Sequence, residues 1–413
     1  MSNIIFAFSG STRREIAVLP LNVIANEAKQ SYKSKIAALL SEARNDQKTV
    51  RVRIFSLQNL REFIIKPSSK LEVSESGEKK PVFLKTGEKT EIKGSGDKIF
   101  LKSKSGVKTF AGVIYIKSKS PLIVRSGGRD KKIYCNLKVS WTGKNLILIN
   151  RMPVESYVAG VTDSEFSFSG STEAWKAQAV VARSYAVACM GRHKKEGYDF
   201  CDSTHCQNFR GLSSRDSAGF AAAGQTKGLI LKYKGKPLSA FYHSTCGGKT
   251  AEACEIFTEP ADGIESIKDF LEGKTLCRNS PHFKWKSVVS KERLLSALQS
   301  DELSNPGKFL AKIEVPVRGK SGRARMVKIT GEKVKILPGY QFWLILGNNL
   351  GWGEVESTWF DVKKSGNDFI FEGRGCGHGL GMCQWGAAEM GRSGASFRQI
   401  LKHYYPEAEI GNI

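Results

Sequence analysis

The sequence predicts an α+β fold: a β-rich N-terminal region, then a mixed helix/strand core that carries an inserted basic subdomain. Three observations predict it. Residues 50–150 hold short runs in which apolar and polar side chains alternate, the period of a half-buried strand. From Ser171 the period changes, with Trp175, Ala179, Ala182, Ala186 and Met190 falling on one helical stripe. Between 281 and 340 a short helical pattern is followed by strands rich in lysine and arginine. At 413 residues the chain exceeds what one compact core usually holds.

Taken in order, residues 1–45 read as a leader, helical in part, with Ile24, Ala28 and Tyr32, then Ile36, Leu39 and Leu40, at helical intervals. The run Ile4–Phe8 lacks a preceding basic region, so a secretory signal is not expected from it. Residues 46–150 carry strands at Val50–Ile54, Ile99–Leu101, Val113–Ile116, Leu122–Val124, Ile133–Val139 and Leu146–Ile149. Residues 151–280 hold the Ala-rich helix, whose N-terminus Ser171 and Thr172 can cap with hydroxyl acceptors. Glu165 is expected in a loop just before it. Lys176 and Arg183 lie two turns apart on a second face of that helix. A smaller helix is expected at 216–224. Gly228–Tyr233 and Leu238–His243 should form a hairpin around Lys234-Gly235-Lys236. Residues 281–340 form the expected insertion, with a helix over Lys291–Leu303 and strands around Ile313–Val317 and Met326–Ile329. Residues 341–413 complete the core and end in a helix over Phe397–Tyr405, before Pro406.

Lysine and arginine number 64 against 40 acidic residues, a net charge of +24. Such an excess suits a polyanionic partner: nucleic acid, anionic lipid or bacterial cell wall. No zinc-finger spacing or RNA-binding aromatic consensus is present, which argues against nucleic acid. No run reaches the about 18 apolar residues of a membrane span. The nine cysteines cannot all pair within one chain. Cys201, His205 and Cys206 place thiolate and imidazole together, and His193 is a natural fourth ligand for a structural zinc. A Cys201–Cys206 disulfide or free thiols are the alternatives. Cys246, Cys254 and Cys277 could supply one disulfide in an oxidising compartment, and Cys376 and Cys383 bracket His378.

Three separated blocks are similar to one family. The first comprises Pro153 to Val161, Ser164-Glu165 and Trp175 to Ala186; the second is Tyr242-His243-Ser244-Thr245-Cys246-Gly247-Gly248; the third runs from Gly373 to Ala387 and contains the GHGxGxxQWGA pattern. In this order they resemble the sporulation stage II protein D / amidase-enhancer family. The resemblance covers roughly residues 50–413 and is weakest before 140 and between 281 and 340. It implies a lytic transglycosylase acting on peptidoglycan glycan strands, outside the cytoplasm, with Glu165 as the catalytic residue. It also implies an amidase as a partner, peptide-stripped glycan as the preferred substrate of some relatives, and a zinc in some members near the Cys/His loop. The rival expectation is a non-catalytic wall-binding modifier that stimulates an amidase.

The chemistry agrees with that role. An acid that protonates a glycosidic oxygen near neutral pH must keep its proton, and burial against apolar groups raises a carboxyl pKa. Phe166 and Phe168 could desolvate Glu165. Lys176 and Arg183 are expected either to orient Glu165 and hold the sugar's lactyl carboxylate, or to form structural ion pairs. Gln207, His243, Ser244, Thr245, His378, Gln384 and Trp385 complete the expected substrate-binding set, with Trp385 placed to stack on a sugar face.

Overall fold

The computed structural model describes residues 49–75, 81–168, 171–256 and 262–413. The expectations for residues 1–45 lie outside them. The fold is α+β. Two antiparallel-dominated sheets occupy residues 49–153. The larger runs Phe200–Cys201, Thr49–Ile54, Leu146–Pro153, Asn136–Trp141, Val113–Lys117, Leu71–Glu75, Val82–Leu84. The other runs Arg129–Ile133, Leu122–Ser126, Glu62–Pro67, Thr90–Ser95, Lys98–Ser103, Gly106–Ala111. Burial alternates along these strands, and Val50, Val52 and Ile54 of one sheet share a core with Phe63, Ile65 and Val124 of the other. The single strand expected over Ile133–Val139 is two: Arg129–Ile133 joins the smaller sheet and Asn136–Trp141 the larger. The chain therefore changes sheet at Tyr134-Cys135, so apolar residues continue through the break without marking it.

Helix α1 (Val154–Glu165) follows directly from the strand Leu146–Pro153, and α2 (Thr172–Ala188) comes next. Ser171 caps α2 by accepting from the Ala174 N–H at 3.1 Å. Helix α3 (Ala218–Gln225) packs on both. Gly160 lets α1 approach the 209–211 segment closely: a side-chain carbon there would collide with the Gly211 carbonyl and the Phe209 ring. The hairpin expected from 228 to 243 is cut short. Leu229–Tyr233 pairs with only Lys236–Pro237 on one side and with Glu409–Asn412 on the other. Tyr242–His243 instead pairs in parallel with Met382–Cys383. That long-range pairing, invisible to local pattern, joins the second and third sequence blocks.

A second core gathers Phe166, the inner face of α2, Leu380, Met382 and the C-terminal helices α6 (Gln384–Arg392) and α7 (Phe397–Tyr404). A third holds α4 (Lys291–Gln299), α5 (Gly339–Leu350) and the strands Trp285–Ser290, Leu310–Arg318, Ala324–Gly331, Val334–Pro338, Phe360–Ser365 and Asp368–Gly373. Its buried residues run from Val289 to Phe371, so this unit extends well past position 340, where the insertion was expected to end. Trp285–Ser290 closes it by pairing with Asp368–Gly373.

Candidate functional site

Glu165 is the last residue of α1, not a loop residue as its sequence context suggested. Gly160, Thr162 and Asp163 are poor helix formers, and tertiary packing overrides them. The position has a chemical consequence. The C-terminal end of a helix carries partial negative charge and disfavours a second negative charge on a carboxylate. Phe166 is buried directly behind, with its ring 4.8 Å from Phe168 and 5.1 Å from Trp175. The residue as a whole is partly exposed, while its carboxyl is largely buried. Burial pushes the Glu165 carboxyl up to about 7, against opposing pulls from the Asn208 N–H, the Tyr242 hydroxyl and the Arg210 charge.

The loop 206–210 wraps that carboxyl. The Asn208 N–H donates to Glu165 Oε1 at 2.5 Å, and Asn208 Nδ2 donates to the Ser164 carbonyl at 3.3 Å. Tyr242 is held in turn by Gln207, whose Nε2 donates to its hydroxyl at 3.2 Å. Gln384 Nε2 donates to the Glu165 carbonyl at 3.1 Å and to Gln178 Oε1 at 3.3 Å, so the N-terminus of α6 is tied to the C-terminus of α1. Trp385 is partly exposed, its ring 5.0 Å from Phe168. The Trp385 N–H donates to the Ser244 carbonyl at 3.1 Å.

His378 accepts from the Leu380 N–H at its Nδ1, 3.0 Å away, which leaves its proton on Nε2. Burial and the Arg323 charge hold its pKa down to about 4, so it is neutral at pH 7. His243 contacts the Leu380 carbonyl through Nδ1 at 3.0 Å, and burial keeps it neutral too. The two rings lie 5.7 Å apart. Ser244, His378 and Trp385 keep solvent access; Gln207, His243, Thr245 and Gln384 are buried and hold their neighbours. Thr245 is spent on Ser280, oxygen to oxygen at 2.7 Å.

The expected cations lie elsewhere. Arg183 is fully buried and gives Glu155 a forked bond, Nε to Oε1 at 3.0 Å and Nη2 to Oε2 at 2.7 Å. It also donates to the Ala223 and Leu229 carbonyls. Its bonds are those of the ion-pair alternative, tying α1, α2 and α3 together. Lys176 pairs with Glu173 at 2.6 Å, one turn back on α2. Asn208, Tyr242 and Gln178 were not singled out from sequence. Tyr242 opens the second block and Asn208 follows Gln207, which was singled out, and that was the available signal.

Just before Asn208 in the chain, His193, Cys201, His205 and Cys206 bring one ligand atom each within 4.8 Å of one another. His193 Nε2 is 3.3 Å from Cys206 Sγ, and Cys201 Sγ is 3.6 Å from His205 Nδ1. Glu196 stands behind His193 Nδ1 at 3.4 Å, the outer carboxylate that orients a ligating imidazole. Two thiols, two imidazoles and this backing fit a tetrahedral metal site. The loop is pinned to the β region by its flanks. Asp199 takes a forked bond from Arg51, and Asp202 accepts from the Phe55 N–H at 2.6 Å and pairs with Lys131 at 2.9 Å.

Fold and site together define an α+β protein with one desolvated glutamate at a helix C-terminus, flanked by a Cys/His cluster and a Gly-rich His/Gln/Trp loop. The chain belongs to the stage II sporulation protein D family. The pattern described as "Stage II sporulation protein" matches residues 142–233. A domain pattern of unknown function matches residues 247–381. An uncharacterized protein of Brachyspira hyodysenteriae is 31% identical over 267 residues, covering 64% of this chain and 68% of the relative. The stage II sporulation protein D of Bacillus subtilis is 28% identical over 63% of this chain and 75% of its own length. The amidase enhancer of the same organism is 29% identical over 60% of this chain and 39% of its own. Among the described residues no helix is long and apolar enough to cross a membrane.

Proposed function

We propose that the protein is a lytic transglycosylase that cleaves the bond between N-acetylmuramic acid and N-acetylglucosamine in peptidoglycan glycan strands, outside the cytoplasm. The observation that carries this reading is the Glu165 carboxyl, raised to about 7 by burial on a residue that is only partly buried as a whole. Such a group holds a proton near neutral pH and can release and regain it. Glu165 gives its proton to the bridging oxygen as the bond from the anomeric carbon to that oxygen breaks. The muramic acid's own primary hydroxyl closes on the anomeric carbon and returns its proton to the Glu165 carboxylate. The product carries an anhydro end, no water is consumed, and no second carboxylate is needed. The Asn208 N–H and the Tyr242 hydroxyl fix the carboxyl, while Ser244, His378 and Trp385 offer the donors and the ring face that a sugar takes. We place a structural zinc on His193, Cys201, His205 and Cys206, where it would brace the loop that supplies Asn208. It would take no part in proton transfer.

The relative named amidase enhancer supports a second reading. In it the same groove binds the wall without cleaving it and stimulates an N-acetylmuramoyl-L-alanine amidase. One experiment separates the two: purified protein is incubated with intact and with peptide-stripped glycan, and products are weighed by mass spectrometry. Anhydro-ended fragments that vanish in Glu165→Gln carry the first reading. Fragments with only reducing ends mean hydrolysis. Wall binding with no release, together with faster amidase turnover, carries the second.

A further inference from the structure

We infer that Cys246, Cys277, Cys383 and Asp269 form a second metal site, for a thiophilic divalent cation of the zinc class. The inference is independent of the glycan-cleavage reading. Three sulfurs and one carboxylate oxygen, all from buried residues, lie within 4.8 Å of one another. Cys246 and Cys277 sulfurs are 3.5 Å apart, near the edge of about 3.7 Å that a tetrahedron with zinc–sulfur bonds of about 2.3 Å requires. Asp269 Oδ2 is 3.1 Å from Cys246 Sγ, while its Oδ1 accepts from the Tyr404 hydroxyl at 2.6 Å, which orients the carboxylate as an outer partner should.

Each sulfur also faces a backbone donor. Cys246 Sγ accepts from the Gly248 N–H at 3.2 Å. Cys383 Sγ accepts from the Cys246 N–H at 3.3 Å and from the Gly386 N–H at 3.4 Å. Cys277 accepts from the Gly247 N–H. Cys383 is moreover the N-cap of α6, where the helix dipole favours a thiolate. Backbone donors of this kind can back a sulfur ligand once a cation offsets the burial that otherwise keeps the Cys246 and Cys383 thiols protonated.

Charge supplies a separate argument. Three thiolates and a carboxylate around a divalent cation leave a net negative charge in the interior. Arg323, fully buried, donates Nη2 to the Cys246 carbonyl at 2.9 Å, and its Nε and Nη1 have no hydrogen-bond partner among the described residues. A buried guanidinium left so incomplete is costly unless it balances local negative charge, which buried Glu255 supplies in part and the Cys246, Cys277 and Cys383 sulfurs would supply as thiolates. A Cys246–Cys277 disulfide would remove two ligands and leave Asp269 and Cys383 facing it without a cation.

The site would clamp three separate chain segments. Cys246 follows Ser244-Thr245, Cys383 precedes Gln384 and Trp385, and Cys277 is the second residue of the turn over Leu276–Asn279. Metal entry releases the thiol protons to solvent.

The test is elemental analysis of the full chain purified under reductant, without added zinc. The doubly substituted Cys201→Ser/Cys206→Ser protein should keep about one zinc equivalent. Cys277→Ser or Cys383→Ser in that background should abolish it. If those further variants do not fold, cobalt is loaded into the Cys201→Ser/Cys206→Ser protein instead: tetrahedral thiolate–cobalt absorption supports the site, and its absence overturns it. A metal-free Cys201→Ser/Cys206→Ser protein, or a Cys246–Cys277 disulfide found by peptide mapping of the native chain, also overturns it.

Discussion

The two ends of α1 treat the same side chain in opposite ways. Glu155, in the first turn, takes a forked bond from buried Arg183 and a further bond from the Gly228 N–H at 3.1 Å. Glu165, in the last turn, has no salt-bridge partner among the described residues and meets aromatic rings, one backbone N–H and a phenol. The helix dipole supports the first charge and opposes the second. One carboxyl is therefore fixed as a charged structural partner, and the other is left able to hold a proton near neutral pH. The contrast teaches that a glutamate's role is set by what surrounds it, since both lie in the same sequence block.

The largest expected effect lies at the Glu165 end, where the proposed function places the acid. Glu165→Gln should lower anhydro-end formation by about 10²–10⁴-fold, the usual contribution of a positioned acid/base, with wall binding kept. Product mass analysis reads it; unchanged cleavage would transfer the chemistry to another group. At the structural end, Glu155→Ala strands the Arg183 charge in the interior and should cost about 3–5 kcal/mol in urea unfolding. A cost under about 1 kcal/mol would mean that the pair holds little.

The pH dependence sharpens the comparison. Because the folded carboxyl of Glu165 titrates near 7 and an unfolded one near 4.5, the folded state binds the extra proton between those values. The wild type thus loses stability as pH rises through that window. Glu165→Gln should match the wild type near pH 4 and exceed it by about 3 kcal/mol at pH 8. Asp269, also pushed up to about 7 by burial, is present in both proteins and cancels in the difference. Cleavage should fall above about pH 7 as the acid loses its proton. A smaller effect is expected from Tyr242→Phe. Losing the hydroxyl costs about 1 kcal/mol and moves the alkaline limb of the rate profile upward, since that hydroxyl favours the charged carboxylate. An unmoved limb would place Tyr242 outside the proton-transfer network.

Much of the fold was legible locally. The alternation of Val50, Val52 and Ile54 did become a strand, and the Trp175–Ala186 stripe a helix with Ser171 as its cap. The helix expected over Lys291–Leu303 forms over Lys291–Gln299. Where local reading failed, a distant partner decided. Leu238–His243 reads as the return strand of a hairpin, yet Tyr242–His243 is claimed by Met382–Cys383. Arg183 reads as a cation presented on a helix face, yet α1 and α3 close over it.

By itself the sequence determined the class of fold, the strongly basic surface, the membership of a family through three ordered blocks, and which glutamate to watch. Those follow from periodicity and residue type, which are local properties. Only the tertiary structure decided that Glu165 ends a helix, that Arg183 serves Glu155, and that Cys246, Asp269, Cys277 and Cys383 meet. Desolvation, charge pairing and ligand convergence depend on distances between residues far apart in the chain, and spacing along one dimension does not contain those distances.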